Sequence, residues 1–136
     1  MENAQNPFGL HTVTPYLIVY DVKKLVDFIM EVFDAKSRGD LSYRKDGSVQ
    51  HAEIKIGDSV IMLGEPLEEI NATRSTLYVY VKNCDETFEK ALQLGGESVL
   101  QPQNFPHGDR YGGVKDFAGN IWWIVTHIGQ KEHRTQ

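Results

Sequence analysis

Residues 109–127 read Asp109-Arg-Tyr-Gly-Gly-Val-Lys-Asp-Phe-Ala-Gly-Asn-Ile-Trp-Trp-Ile-Val-Thr-His127 and predict a β-hairpin near the end of the chain. The turn is expected at 116–120, because glycine tolerates a positive φ in Gly119-Asn120 and asparagine tolerates it next best. The second arm is rich in β-branched and aromatic residues, which favour strands. Neighbouring side chains on a strand point to opposite faces, so Trp122 and Trp123 cannot both lie in a core. One of them is expected to line a cavity.

Three motifs carry a family resemblance: Gly108-Asp-Arg-Tyr-Gly-Gly-Val-Lys-Asp116, Gly119-Asn-Ile-Trp-Trp123 and Thr14-Pro-Tyr-Leu17. They resemble the vicinal oxygen chelate superfamily of glyoxalases, extradiol dioxygenases and bleomycin-resistance proteins, in particular its phosphonate-operon-like, glyoxalase-related branch. The resemblance runs from about Val13 to His127. It implies an α+β fold in which two βαβββ modules form a curved mixed sheet around a cleft. It also implies a homodimer.

Composition narrows the class of protein and of partner. The 136 residues, 40% hydrophobic and 24% charged, are enough for one globular domain. A net charge of −5 argues against nucleic acid or an anionic membrane as a partner, because both need a basic surface. No apolar run approaches the roughly 18 residues of a membrane span, and the polar start lacks the pattern of a signal peptide. The single cysteine, Cys84, fits the reducing cytoplasm. The expected partner is a small-molecule ligand.

One plan occurs twice along the chain. In the first half, a helix over 22–34 with Asp21 as its N-cap is predicted among strands at 12–20, 36–44, 49–56 and 59–63. A linker is expected at 64–75. In the second half, a helix capped by Asn83 is predicted among strands at 76–82, 97–101 and the closing hairpin, with Pro102, Pro106 and His107 in a loop. Shifting the chain by 62 residues lays Thr14 on Thr76 and Asp21 on Asn83.

These repeats set the expected domain boundaries. We expect an N-terminal lead-in at 1–11, a single domain at 12–128, and a C-terminal tail at 129–136. Within the domain, module one covers about 12–64 and module two about 75–128. Since one helix covers only one face of a sheet, the other face of each module is expected to meet a partner or a ligand.

The resemblance also raises the question of a metal. Metal enzymes of this family place one ligand near the start of each module's first strand and one in its last strand. Carried over to this sequence, those positions are Thr14, Thr76, Trp123 and Met62, or Ile61 if the first hairpin is shifted by one residue. None of these side chains is a normal ligand for a divalent ion. We therefore expect no metal and no cofactor.

Several other side chains are candidates for chemistry. His51 and Glu53 lie two residues apart on a predicted strand, so they share a face and could act as acid and base or as two metal ligands. A hydrogen-bonded polar pair at the rim of a cleft is the plainer interpretation. His127 could point into the same cleft or be solvated, and His107 could belong to a lid or to an ordinary loop. Cys84 is predicted to begin the second helix and to pack there as a small apolar residue.

Aromatic side chains gather on the inferred helix-free faces: Tyr16, Tyr78, Tyr80 and Trp123. Such rings can stack on a flat ligand while their hydroxyls hydrogen-bond its edges. They could instead pack only on one another. A ligand pocket is favoured, because an apolar core would leave three tyrosine hydroxyls unsatisfied.

The sequence therefore predicts a metal-independent protein that binds a small organic ligand in an aromatic-lined cleft. The candidate ligand-binding residues are Thr14, Tyr16, His51, Glu53, Met62, Thr76, Tyr78, Tyr80, Tyr111 and Trp123. The alternative is a metal-dependent lyase, isomerase or dioxygenase whose metal site has moved to His51 and Glu53, with His127 as a possible third ligand. A purely structural or regulatory role has no positive signal in the sequence.

Overall fold

The computed structural model describes residues 6–67 and 71–129, which form two compact units that divide after Thr73. After a 3-10 turn at Pro7–Gly9, the first unit contains β1 (Tyr16–Ile18), α1 (Val22–Phe33), β2 (Lys36–Ser37), β3 (Ser42–Tyr43), β4 (Val49–Ile56) and β5 (Ser59–Gly64). The second unit contains β6 (Thr76–Tyr80), α2 (Cys84–Gln93), β7 (Glu97–Asn104), β8 (Asp109–Lys115) and β9 (Ile121–His127). The predicted α+β fold with two modules is confirmed.

Each unit has one mixed sheet, and the two sheets follow the same order. The first sheet runs β1-β5-β4-β2, with β3 also paired to β4, and the second runs β6-β9-β8-β7. In both, the first strand lies parallel to the last strand, and the other pairs are antiparallel. Tyr16 pairs with Met62 in the first sheet, and Tyr78 pairs with Trp123 in the second. Tyr16 and Tyr78 are 62 residues apart, whereas Met62 and Trp123 are 61 apart, so the pairing recurs with one residue fewer between the paired positions of the second unit.

Each helix covers one face of its own sheet. Helix α1 is strongly amphipathic and buries Leu25 and Ile29, while the facing strands bury Leu63. In the second unit, Phe88 of α2 is buried, as is Trp122 of β9. The remaining buried apolar side chains of the helices and strands include Leu17, Val22, Val32, Ile54, Ala91, Val114 and Ile124. Among residues 6–67 and 71–129, no helix of the same unit covers the opposite face of either sheet.

Three predicted strands depart most from their expected bounds, while strand 76–82 ends two residues early, at Tyr80, and strand 59–63 ends one residue later, at Gly64. Strand β1 is shorter than 12–20; Pro15 has no N–H to donate, although its carbonyl still accepts from Met62 N at 2.9 Å. The run 36–44 divides into β2 and β3, because Gly39 turns the chain with φ of +77°. Strand β7 continues past 101 to Asn104, so the prediction of Pro102 in a loop was wrong. Pro102 lies on an edge strand at a register shift, where a missing donor breaks no regular ladder.

The start of the predicted linker, 64–75, is well anchored. Gly64 belongs to β5, and the Glu65 carboxylate accepts from Val22 N at 2.8 Å and Val49 N at 2.7 Å, which ties the start of α1 to β4. Residues 68–70 of the linker, 1–5 of the lead-in and 130–136 of the tail lie outside the described residues. Neither of the two described helices has the length and apolar character that a bilayer span needs.

Candidate functional site

Strand alternation sorts the side chains of the second sheet onto two faces. On one face, Thr126 Oγ1 accepts from Cys84 N at 2.8 Å, which marks it as the face covered by α2. Residues in the alternating positions lie on the other face, which α2 leaves uncovered. Tyr78 and Tyr80 are 44% and 54% exposed there, and Tyr111 and Trp123 are half-buried. We refer to these four side chains as the aromatic face.

The rings of the aromatic face contact one another edge to face. Tyr78 meets Tyr80 at a centroid distance of 5.6 Å and Tyr111 at 5.7 Å, and Tyr111 meets Trp123 at 5.6 Å. Phe105 stacks on Tyr111 at 4.1 Å with an interplanar angle of 9°. Edge-to-face contacts hold rings in fixed orientations, so the surface is ordered before any ligand arrives.

Gly113 makes room for the indole of this face. It pairs with Trp123 across the β8–β9 ladder, and a Cβ placed on Gly113 would lie 2.4 Å from Trp123 Cζ3. No side chain fits at that distance, so Trp123 lies directly over the glycine backbone. Gly113 is therefore a position where a side chain approaches the strand backbone closely.

A fully buried carboxylate, that of Asp109, lies beside the aromatic face. Tyr78 and Tyr80 donate their hydroxyl protons to its Oδ2 over 2.7 Å and 3.0 Å, and His127 Nδ1 lies 2.8 Å from Oδ1. His107 Nε2 is 3.5 Å from Oδ2. A buried charge is tolerated only when it is hydrogen-bonded or paired, and this cluster supplies those partners.

The carboxylate changes the ionisation of the tyrosine nearest to it. Burial, together with the hydrogen bond to Asp109 and the repulsion of its charge, raises the pKa of Tyr78 far above its usual range. Tyr78 therefore remains a hydrogen-bond donor at neutral pH. The sequence predicts these hydroxyls at the edges of a ligand, but in the structure the hydroxyls of Tyr78 and Tyr80 both bind Asp109. Both residues nevertheless remain about half exposed.

Asp109 was not predicted as a site residue, although part of the signal was present. In a hairpin that turns at 116–120, counting outward equally on both arms pairs Asp109 with His127. The two tyrosines could not be placed in the same way, because β6 joins β9 by a parallel pairing whose register no short turn defines.

A second polar cluster lies on the helix-free face of the first sheet. His51 Nε2 is 2.9 Å from Glu53 Oε2, and Arg38 Nη1 donates to Glu53 Oε1 over 2.9 Å. The Tyr16 hydroxyl is 3.5 Å from His51 Nδ1. Met62 pairs with both Tyr16 and Glu53 across the neighbouring strands. Arg38 was not singled out in the sequence, because it lies between two short strands with no periodic pattern to place it.

The donor sets of these clusters do not fit the metal site of the resembled family. The positions carried over from that family hold Thr14, Met62, Thr76 and Trp123, and none of these side chains is a normal metal ligand. His51 and Glu53, the alternative metal site, are also poorly suited to a metal ion. Glu53 already binds the guanidinium of Arg38, whose positive charge would repel a cation. Within residues 6–67 and 71–129, no group of three or more histidine, cysteine, aspartate or glutamate side chains is arranged to hold a metal ion.

Cys84 is the first residue of α2 and is buried, as predicted. Burial raises the pKa of its thiol, which counters the lowering that a helix N-terminus would cause. The side chain packs between α2 and its sheet and is a poor nucleophile.

Comparison with known proteins agrees with this architecture. The family model described as the Glyoxalase/Bleomycin resistance protein/Dioxygenase superfamily matches residues 9–124. An uncharacterised protein of Mycobacterium bovis is 29% identical over 121 residues, which cover 81% of this chain and 79% of that protein. The crystal structure of TioX from Micromonospora sp. ML1 is similar with a TM-score of 0.70 and 23% identity, covering 87% of this chain and 99% of that one. A glyoxalase-related enzyme from Fulvimarina pelagi is similar with a TM-score of 0.64 and 22% identity, covering 86% and 88% of the two chains.

Proposed function

The chain belongs to the Glyoxalase/Bleomycin resistance protein/Dioxygenase superfamily, and we propose that it binds a small planar organic ligand, without a metal, on the aromatic face of the second unit. One superfamily fold can host many activities, so the proposal depends on the side chains rather than on the fold.

The observation that carries the proposal is the orientation of the exposed tyrosines. Tyr78 and Tyr80 are about half exposed, yet their hydroxyls are turned inward to a buried carboxylate. Such an arrangement presents ring surface while it satisfies the polar ends of the side chains. Flat ligands gain most from contacts of this kind, because stacking and edge-to-face contacts add to the free energy of burying apolar area.

The alternative, in which the rings only pack on one another, explains less. The contacts among the four rings are edge to face, and they leave large fractions of Tyr78 and Tyr80 open. Rings whose only role was packing would be expected to cover one another more completely. The ordered contacts also lower the cost of binding, because rings already held in place lose little side-chain entropy when a ligand stacks on them.

The helix-free face of the first sheet is a second candidate for ligand contact. Tyr16, Met62 and the His51–Glu53 pair lie there, and the pair could accept or donate hydrogen bonds to a polar substituent. Thr14 lies just before β1, and Thr76 is the first residue of β6, so each is proposed as a contact at the start of its strand.

The proposal is tested by titrating the protein with a panel of planar two-ring and three-ring aromatic compounds that absorb where tryptophan emits. We expect saturable quenching by at least one compound. In the variant Trp123→Phe, the remaining indole is the buried Trp122, so quenching at saturation should fall by about half or more.

The variant Tyr111→Ala should weaken binding about tenfold, since it removes a ring that contacts Tyr78 and Trp123 of this face. Tyr43→Ala, which removes an exposed tyrosine of the first unit, is the matched control and should bind as the wild type does. The aromatic face would be refuted as the binding site if no compound gave saturable quenching. It would also be refuted if Trp123→Phe and Tyr111→Ala both left the quenching unaltered.

A further inference from the structure

We propose that Asp109 and His127 form a proton-accepting pair that takes the hydroxyl proton of a phenolic ligand bound on the aromatic face. The inference rests on the proposed function, which it extends by naming the class of ligand. It is carried by the geometry of one buried carboxylate and one exposed imidazole.

The carboxylate defines the tautomer of the histidine. Asp109 Oδ2 accepts from both tyrosine hydroxyls, and an ionised carboxylate has no proton to give. The 2.8 Å contact between His127 Nδ1 and Asp109 Oδ1 therefore requires the proton on Nδ1. In the neutral imidazole, the lone pair is then on Nε2.

That second nitrogen is open to a ligand. The His127 side chain is 53% exposed, and its ring lies against the backbone of Gly108 at the end of the hairpin. Among the described residues, no hydrogen bond is found for Nε2, while Nδ1 of the same ring is bound to Asp109. The imidazole is thus fixed by one nitrogen and available through the other, as in other acid–base sites where a carboxylate orients a histidine.

The groups around the pair all meet at the buried carboxylate. Asp109 is fully buried, and its Oδ1 lies in direct contact with His127 Nδ1 at 2.8 Å. Tyr78 and Tyr80 donate to the other carboxylate oxygen and hold it in place. His107 Nε2, 3.5 Å from Asp109 Oδ2, is a second imidazole beside the carboxylate.

The aromatic face and the imidazole meet at this one carboxylate, and this arrangement selects the chemistry of the ligand. Tyr78, Tyr80 and His127 all contact Asp109, so a ligand ring stacked on the two tyrosines would lie close to the imidazole. A hydroxyl on that ring is then the group positioned to reach Nε2. In the transfer, the O–H bond breaks and its electron pair stays on oxygen, while the proton forms an N–H bond with Nε2. The products are a phenolate and an imidazolium that stabilise each other by charge.

Two matched probes test the inference. Para-nitrophenol has an acidic hydroxyl, and its phenolate absorbs in the visible, whereas para-nitroanisole has the same ring without the proton. Both are added to the full chain at a pH below the pKa of the free phenol. Saturable quenching of tryptophan by para-nitroanisole reports binding alone. A phenolate-to-phenol ratio about tenfold above that of the free probe reports proton transfer, since tenfold corresponds to one pKa unit.

The variants assign the effect to the pair. His127→Gln should remove the increase in phenolate while para-nitroanisole still binds. Asp109→Asn should reduce the increase in phenolate. Its control is Asp85→Asn, which changes an exposed carboxylate paired with Arg110 and should leave the increase intact. In nitrogen-15 NMR, the His127 ring of the free protein should carry its proton on Nδ1 and should gain a second proton, on Nε2, when para-nitrophenol binds.

The outcomes separate this inference from the proposed function. Binding of both probes with no excess phenolate, or with an excess that persists in His127→Gln, would overturn the proton-accepting pair and leave the binding face standing. If neither probe gave saturable quenching, the pair would be overturned for phenols, and the binding face would be put in question as well. His127→Gln changes an exposed side chain, so the test holds even if Asp109→Asn fails to fold.

Discussion

Asp109 is the residue on which the second unit's polar organisation depends. It is fully buried, and hydrogen bonds from β6 and β9 meet at its two oxygens. Truncating it would leave two tyrosine hydroxyls and an imidazole without their acceptor, and leaving buried donors unsatisfied usually costs more than a hydrogen bond contributes. By accepting from the hydroxyls of Tyr78 and Tyr80, Asp109 also orients the two exposed tyrosines of the proposed binding face. One residue thus serves both the fold and the proposed function.

The raised pKa of Tyr78 predicts a loss of stability at alkaline pH. The folded protein holds this proton more tightly than the unfolded chain, so the stabilisation is fully present below the ordinary tyrosine pKa of about 10. It is lost as the pH rises above that value toward the folded pKa. The free energy of unfolding, measured by urea denaturation from about pH 8 to about pH 11, should fall less in Tyr78→Phe than in the wild type.

Tyr20→Phe is the control for this experiment, because Tyr20 is 68% exposed. Its pH dependence should match that of the wild type. An identical alkaline loss in the wild type and in Tyr78→Phe would show that Tyr78 does not carry the effect.

The sequence predicted the sheet face on which a side chain lies better than it predicted the side chain's hydrogen-bond partner. Alternation along β6 placed Tyr78 and Tyr80 on the helix-free side, because period-two patterning depends only on the strand itself. Alternation gave no indication that their hydroxyls bind Asp109. That residue lies on another strand, 31 residues after Tyr78 and 29 after Tyr80. Arg38 was missed because no periodic pattern places it, and its partner Glu53 lies across a strand pair.

Among the elements, the β8–β9 hairpin shows how a turn can be built around one side chain. Asp116 Oδ1 accepts from Ala118 N at 2.8 Å and Asn120 N at 3.0 Å, and Oδ2 accepts from Trp122 Nε1 at 2.7 Å. Gly119 adopts φ of +92° within this turn. The turn was predictable, because glycine and asparagine at these positions are local signals. The link from the turn to the buried indole was not.

We predict that Asp116→Asn destabilises the protein by about 2–3 kcal/mol. An amide has only one acceptor oxygen, so either the indole N–H or the turn amides would face another N–H group. Urea denaturation measures the change, and near-ultraviolet circular dichroism should report altered packing of Trp122. The corresponding change in the β4–β5 turn, Asp58→Asn, lies in an exposed position and should shift stability by no more than about 0.5 kcal/mol. Equal effects of the two substitutions would argue against the account of the Asp116 turn.

The whole molecule repeats one plan of strands and helix, which the sequence predicted from an offset of 62 residues. Caps at Asp21 and Asn83, with first strands that pair parallel to the last, recur at that spacing. The repeat was visible because helix caps and strand alternation are local patterns. That residues 12–128 act as a single domain and that the chain forms a homodimer stay predictions, the second of which sedimentation equilibrium can test.

The prediction that no metal is needed also belongs to the whole molecule. After incubation with zinc, nickel, manganese or iron(II) and desalting, elemental analysis should find well below one metal ion per chain. His51→Ala should give the same result as the wild type, because Glu53 is paired with Arg38 rather than left for a cation. One ion retained per chain in the wild type and lost in His51→Ala would contradict this prediction and support the metal-dependent alternative.

The most direct test of the central claim is a nuclear magnetic resonance map of where a planar aromatic ligand binds. The protein is labelled, and backbone and aromatic resonances are followed during titration with the best quencher from the panel. We predict saturable shifts that concentrate on Tyr78, Tyr80, Tyr111 and Trp123, with the resonances of α2 little changed. Shifts that concentrate elsewhere, with the aromatic face unmoved at saturation, would contradict the claim.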